Sequence, residues 1–149
     1  MASIVTFTIK DVCLALGGIS RSRVHAWTRL APFSLIKTSE RSARRFSPAD
    51  LLTLAVIQTL EDTYGLRNRQ LSFFSHAIHQ YLSEPRTLTP MELVFIRLRD
   101  GRVMSSGLAD EPGYLLDMAQ ERERISIFFG VSPPQGRLPL MARIGTSEK

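Results

Sequence analysis

The segment FTIKDVCLALGGISRSRVHAWTRL, residues 7–30, holds two short helix signals around a glycine pair, and the fold follows from how those helices are arranged. Thr8 can cap a helix in which Ile9, Val12, Cys13 and Leu16 fall at i, i+3, i+4 and i+7, and Gly17-Gly18 ends it. Ser20 is a second cap. Val24, Trp27 and Ala31 then repeat the helical spacing up to Pro32, which stops the element and leaves a turn of about three residues between the helices. At about 100° per residue, Val24 and Trp27 point one way while Arg21, His25 and Arg29 form a stripe on the opposite side. The second helix therefore divides into a core face carrying Trp27 and a cationic face. Two short helices joined by a tight glycine turn describe a helix-turn-helix unit, whose second helix would present Arg21, Ser22, Arg23 and His25 to a major groove.

Working outward, SLIKTSERSARRF at residues 34–46 has a strand-like start, a polar tip and a basic return, which predicts a hairpin wing. Ser47, Pro48 and Asp50 supply a cap, a first-turn proline and an acid at the third position of a new helix, apolar on more than one side and closed by Gly65. A fourth helix is predicted over residues 67–82, with Leu71, Phe74, Ile78 and Tyr81 on one face. SEPRTLTP, residues 83–90, breaks helix twice with proline and reads as a linker. Beyond it LVFIRLRDGRVMSS alternates on both sides of Asp100-Gly101, a hairpin signal. Glu111-Pro112 is expected to start a helix to about Arg124, ISIFFGV to form a buried strand, and RLPLMARI a last strand. The predicted class is α+β: a mainly helical amino-terminal domain at residues 1–82, the linker, and a small α+β module at residues 91–149.

Residues 6 to about 80 resemble the winged helix-turn-helix domain of the mercury-resistance regulator (MerR) family and its relatives, the phage excisionases and terminase small subunits. The resemblance rests on the order of parts: a T-I-x-x-V opening, the glycine turn, a helix with an aromatic at Trp27, a basic wing ending in an aromatic, and S-P-x-D-L at the next helix. It implies a recognition helix spanning Ser20, Arg21, Ser22, Arg23, His25 and Arg29, and a wing with Lys37, Arg41, Arg44 and Arg45 on the backbone or minor groove. This chain departs from the family where Arg23, His25 and Ala26 replace threonine, arginine and tyrosine, and where proline breaks stand in place of a long dimerisation helix.

Charge points the same way. Residues 1–50 carry eight Lys/Arg against three Asp/Glu, while residues 51–149 carry eleven of each, so the whole excess of +5 sits in the first third. A surplus confined to one segment is the footprint expected for a polyanion. Arginine can donate a bidentate pair to guanine, whereas Arg41, Arg44 and Arg45 suit phosphate neutralisation. His76 and His79 lie three apart on a helix but lack further ligands of suitable spacing, so no metal site is expected. The pairs Glu61-Asp62 and Asp110-Glu111 read as capping and solvated acids. No phosphate-binding glycine loop, nucleophile elbow or metal-hydrolase helix is present, so neither catalysis nor a cofactor is expected. Cys13, the single cysteine, reads as a small buried hydrophobe. With no signal-peptide core and no apolar run long enough to span a bilayer, the sequence predicts a cytoplasmic, nucleoid-associated protein without a membrane partner.

Three functions fit these readings. The first is a sequence-specific transcriptional regulator that binds double-stranded DNA as a homodimer through residues 91–149. The second is an architectural DNA-binding protein whose tail recruits a protein partner, and the third an adaptor that no longer binds DNA.

Overall fold

A computed structural model of the chain describes residues 5–35, 44–105 and 111–128. In order these form helices α1 (Ile9–Ala15), α2 (Arg21–Trp27), α3 (Pro48–Tyr64) and α4 (Asn68–Ser83), strands β1 (Leu93–Arg97), β2 (Val103–Ser105) and β3 (Gly113–Asp117), and helix α5 (Met118–Phe128). The fold is α+β, with five helices and one antiparallel sheet of order β2-β1-β3 among the described residues. Among these residues no helix is long and apolar enough to cross a membrane.

The amino-terminal helices start and stop where local chemistry dictates. The Asp11 N–H donates to Thr8 Oγ1 at 3.2 Å, and the Thr8 N–H donates back to Asp11 Oδ2 at 2.9 Å. At the other end the Gly18 N–H reaches Cys13 O at 2.8 Å, with Gly17 and Gly18 at φ 91° and 79°. Only residues without a Cβ adopt such angles in succession at little cost. The turn occupies residues 16–20, longer than expected. Helix α2 ends at Trp27 and does not run to Pro32: the Arg29 and Leu30 N–H groups reach back only three residues, to Ala26 O at 3.3 Å and Trp27 O at 2.9 Å.

Helix α3 is the centre of the molecule. Ser47 and Asp50 form a capping box, Pro48 fills the first turn, and Gly65 closes the helix at φ 71°. Leu51, Leu54, Ala55, Val56, Ile57 and Leu60 are all fully buried. One continuous core joins them to Val12 of α1, Trp27 of α2, Phe74 and Ile78 of α4, Ile96 of β1, Leu116 of β3 and Ile125 of α5. The segment at residues 84–92 is without helix or strand, yet the parts it joins share that core.

Three further expectations change, and two fall outside the described residues. The strand-like start at Ser34 is a 3-10 turn, Phe33–Leu35, in which Phe33 is buried. Residues 36–43, with the predicted wing tip, lie outside the described residues, as does the strand expected at residues 137–144. The helix expected from Glu111-Pro112 begins only at Met118, after β3, because its cap is Asp117, whose Oδ1 accepts from the Gln120 N–H at 3.0 Å. Ile125, Ser126, Ile127 and Phe128 are helical and not a strand, since α5 is held to α3 by Glu121 and Arg124. The expected hairpin is present, with Ile96 paired to Val103 and Gly101 at φ 70°.

Gly113 sits where β3 passes closest to β1. A Cβ there would lie 2.3 Å from both Ile96 O and the Phe95 ring. Gly113→Ala is therefore expected to cost about 1 to 3 kcal/mol by overpacking, read as a lower urea midpoint at unchanged slope. An unchanged midpoint would show that the strand separates there without loss.

Candidate nucleic-acid interface

Helix α2 is anchored from below by Trp27. Its side chain is fully buried, and the indole N–H donates to Glu61 Oε2 of α3 at 3.0 Å. The other Glu61 oxygen accepts from Arg23 Nε at 2.9 Å, and Arg23 also pairs with Asp62. The Arg23 guanidinium stands 4.9 Å from the Trp27 ring centroid. Glu61 and Asp62, read from sequence as capping and solvated acids, instead tie α2 to the end of α3. Burial lowers the basicity of Arg23, but the hydrogen bonds it donates to Asp62 and Glu61 outweigh this and hold its pKa above the ordinary value.

The remaining predicted contacts fall into groups. Ser20, Arg21, Ser22, His25 and Arg29 are exposed. Ser20 also caps α2, accepting the Arg23 N–H at 3.3 Å. Arg21, His25 and Arg29 make no ion pair among the described residues; Arg21 and His25 are exposed on α2, opposite the buried Val24 and Trp27, and Arg29 lies past the end of the helix. Arg23 is separated from them, on the Trp27 flank. Arg45 is exposed, whereas Arg44 is half-buried and donates to Phe33 O at 3.2 Å. Lys37 and Arg41 lie outside the described residues. Phe7 and Phe46 exchange backbone hydrogen bonds of 2.7 and 2.9 Å, which brings Arg45 beside the start of α1.

Elsewhere several ionisable groups are matched within the chain. His79 Nε2 lies 2.7 Å from Asp50 Oδ1, joining α4 to the first turn of α3, and His76 is exposed. Glu92 accepts from the Tyr81 hydroxyl at 2.6 Å and from Arg122 Nε at 2.8 Å, beside a hollow of about 460 Å³ bordered by Arg86. Burial, then the Glu92 carboxylate, push the Tyr81 hydroxyl up to about 12, so it stays protonated and serves as a donor. Cys13 is buried and unbridged. These ties were not visible in the sequence, because each partner is distant along the chain.

No family model, no curated protein and no solved structure matches this chain.

Burial raises the Asp50 carboxyl, but hydrogen bonds from His79 and Ser47 win and hold it below its usual 3.8. A depressed carboxylate contributes stability that is complete above its unfolded value and is lost as pH falls through the folded one. Asp50→Asn is expected to lower stability at pH 7 by about 1 to 2 kcal/mol and to flatten the loss of melting temperature between pH 4 and pH 2.5. A variant whose acid limb parallels that of the wild type would refute the coupling.

Proposed function

We propose that this chain binds duplex DNA through the outer face of α2, with Arg45 as a further phosphate contact, and acts as a homodimeric transcriptional regulator. The observation that carries the reading is the set of exposed cations on and just after α2. Beyond residue 50, Arg86, Arg97, Arg99, Arg122 and Arg124 pair with carboxylates, while Arg67, Arg69 and Arg102 are exposed and make no ion pair among the described residues. Arg21 and His25 on α2, and Arg29 just past its end, stand exposed beside a helix fixed by a buried tryptophan, in a segment of eight Lys/Arg against three Asp/Glu. Exposed cations beside a fixed helix suit phosphate neutralisation, and arginine adds bidentate reading of guanine.

In this reading Arg21, Arg29 and Arg45 neutralise phosphates, His25 faces the groove, and Ser20 and Ser22 donate to the backbone. Arg44 is committed to the Phe33 carbonyl, and Lys37 and Arg41 lie outside the described residues. A helix this short reads few base pairs, which favours two copies on paired half-sites. Leu93 and Leu115, 37% and 51% exposed, share the sheet face turned away from the core and offer apolar surface for that pairing.

Binding of the full chain to duplex DNA is expected to weaken steeply with salt. Arg21→Ala and Arg29→Ala should each reduce the slope of log affinity against log salt by about 0.9, one phosphate's contribution. Fluorescence anisotropy on a labelled duplex measures this. A full chain with no salt-dependent duplex binding would remove the DNA reading altogether.

A further inference from the structure

Arg23 lies on the same short helix as the proposed contact residues, yet it is held differently from all of them. One carboxylate, Glu61, accepts from two side chains one helical turn apart on α2: Arg23 Nε at 2.9 Å and Trp27 Nε1 at 3.0 Å. Asp62, the next residue, takes the outer edge of the same guanidinium. We infer that Arg23 is a positioning residue and not a DNA contact: Glu61 and Asp62 hold it against Trp27, and this fork sets the rotation of α2 about its own axis. The inference rests on the proposed DNA reading for its consequence, though not for its geometry.

Two anchors at i and i+4 on one flank fix a helix's rotation in a way that a single apolar side chain does not. A rotation of one residue is about 100°, enough to turn Arg21 and His25 off the face they now share. The indole N–H is the buried donor that must be satisfied, and Glu61 satisfies it with one oxygen. The second oxygen and Asp62 then demand a planar, two-pronged donor, which arginine supplies and lysine does not. The side chains of Arg23, Glu61 and Asp62 are 29%, 30% and 52% exposed, so the ion pairs themselves contribute modestly to stability. Their effect falls on orientation more than on folding. Electrostatics agree: one guanidinium between two carboxylates leaves that flank net negative, a poor place for a phosphate.

The test compares Arg23→Ala, Arg23→Lys, Glu61→Gln and Arg21→Ala in the full chain, on a random-sequence duplex and on a duplex selected by the wild type from a randomised pool. Arg23→Ala should leave the salt slope on the random duplex unchanged, where Arg21→Ala lowers it by about 0.9. The preference for the selected duplex should fall about fivefold. Arg23→Lys, which keeps the charge, should not restore that preference. Trp27, the single tryptophan, gives a readout without DNA: its emission should shift to longer wavelength in Arg23→Ala and in Glu61→Gln. An Arg23→Ala slope reduced as much as that of Arg21→Ala, with Lys restoring it and Trp27 emission unmoved, would overturn the inference and make Arg23 a phosphate contact. If the wild type binds no duplex, the DNA reading fails, and the emission of the two variants still decides whether the fork holds α2.

Discussion

A helix that is apolar around most of its circumference has to be wrapped, and α3 imposes that requirement on the rest of the chain. Helices α1 and α2, α4 and α5 each cover part of it, and the sheet packs behind α4 and α5. What distinguishes this arrangement from other ways of covering the same helix is the placement of its few polar side chains. Thr53 bonds back to Ala49 O at 2.7 Å and needs nothing further. Gln58, Thr59 and Glu61 point in directions where specific partners have to meet them, and each selects a different neighbour: the end of α1, α5 and α2.

Gln58 carries the longest of these connections. Its amide donates to Leu16 O at 2.9 Å, one of the carbonyls that the end of α1 leaves without a helical partner. Its oxygen accepts from Arg124 Nη1 at 2.8 Å, and Arg124 in turn reaches Ala55 O and Glu121. Thr59 bonds to the same Glu121. The glycine turn that aims α2 is thus connected through α3 to a helix more than a hundred residues away in sequence. Removing α5 would strip the Gln58 oxygen of its partner beside an otherwise apolar interior, so the geometry of the amino-terminal helices depends on residues beyond the segment at 84–92.

Helix starts were legible because they are local. Thr8, Ser20 and Ser47 each act on an N–H three residues ahead, and the periodicity of Val12, Trp27, Leu71 and Ile78 names their buried faces without knowledge of what covers them. The hairpin of β1 and β2 was legible for the same reason. Local rules failed in residues 111–128, where Pro112 suggested a helix start but its carbonyl accepts from the Leu98 N–H at 3.0 Å, extending a sheet instead. The β-branched and aromatic residues after Arg124 favour a strand in isolation, and there the contacts of Glu121 and Arg124 to α3 prevail over propensity. On α2, the exposure of Arg21 and His25 opposite Trp27 followed from angle alone, while Arg29 falls past the end of the helix. The same projection already puts Arg23 with Trp27, one turn apart. Charge type had grouped it with the stripe, and only the fold could bring Glu61 and Asp62, 38 and 39 residues later, to meet it.

Net charge per segment is therefore a coarse guide to an electrostatic surface. Among the cations of residues 1–50, Arg23 is committed to two carboxylates from α3 and Arg44 to a backbone carbonyl, while Lys10, Arg21, Arg29 and Arg45 are exposed. Some of the surplus seen in sequence stabilises the fold, and some remains at the surface, where a polyanion would meet it. What separates the two uses is whether tertiary structure delivers an acceptor. An arginine flanking a buried aromatic lies next to the core, where carboxylates at helix ends come within reach, and an arginine opposite that aromatic does not. The tryptophan that anchors α2 thus also sorts its cations: those on its own side become part of the scaffold, and those across the helix stay at the surface.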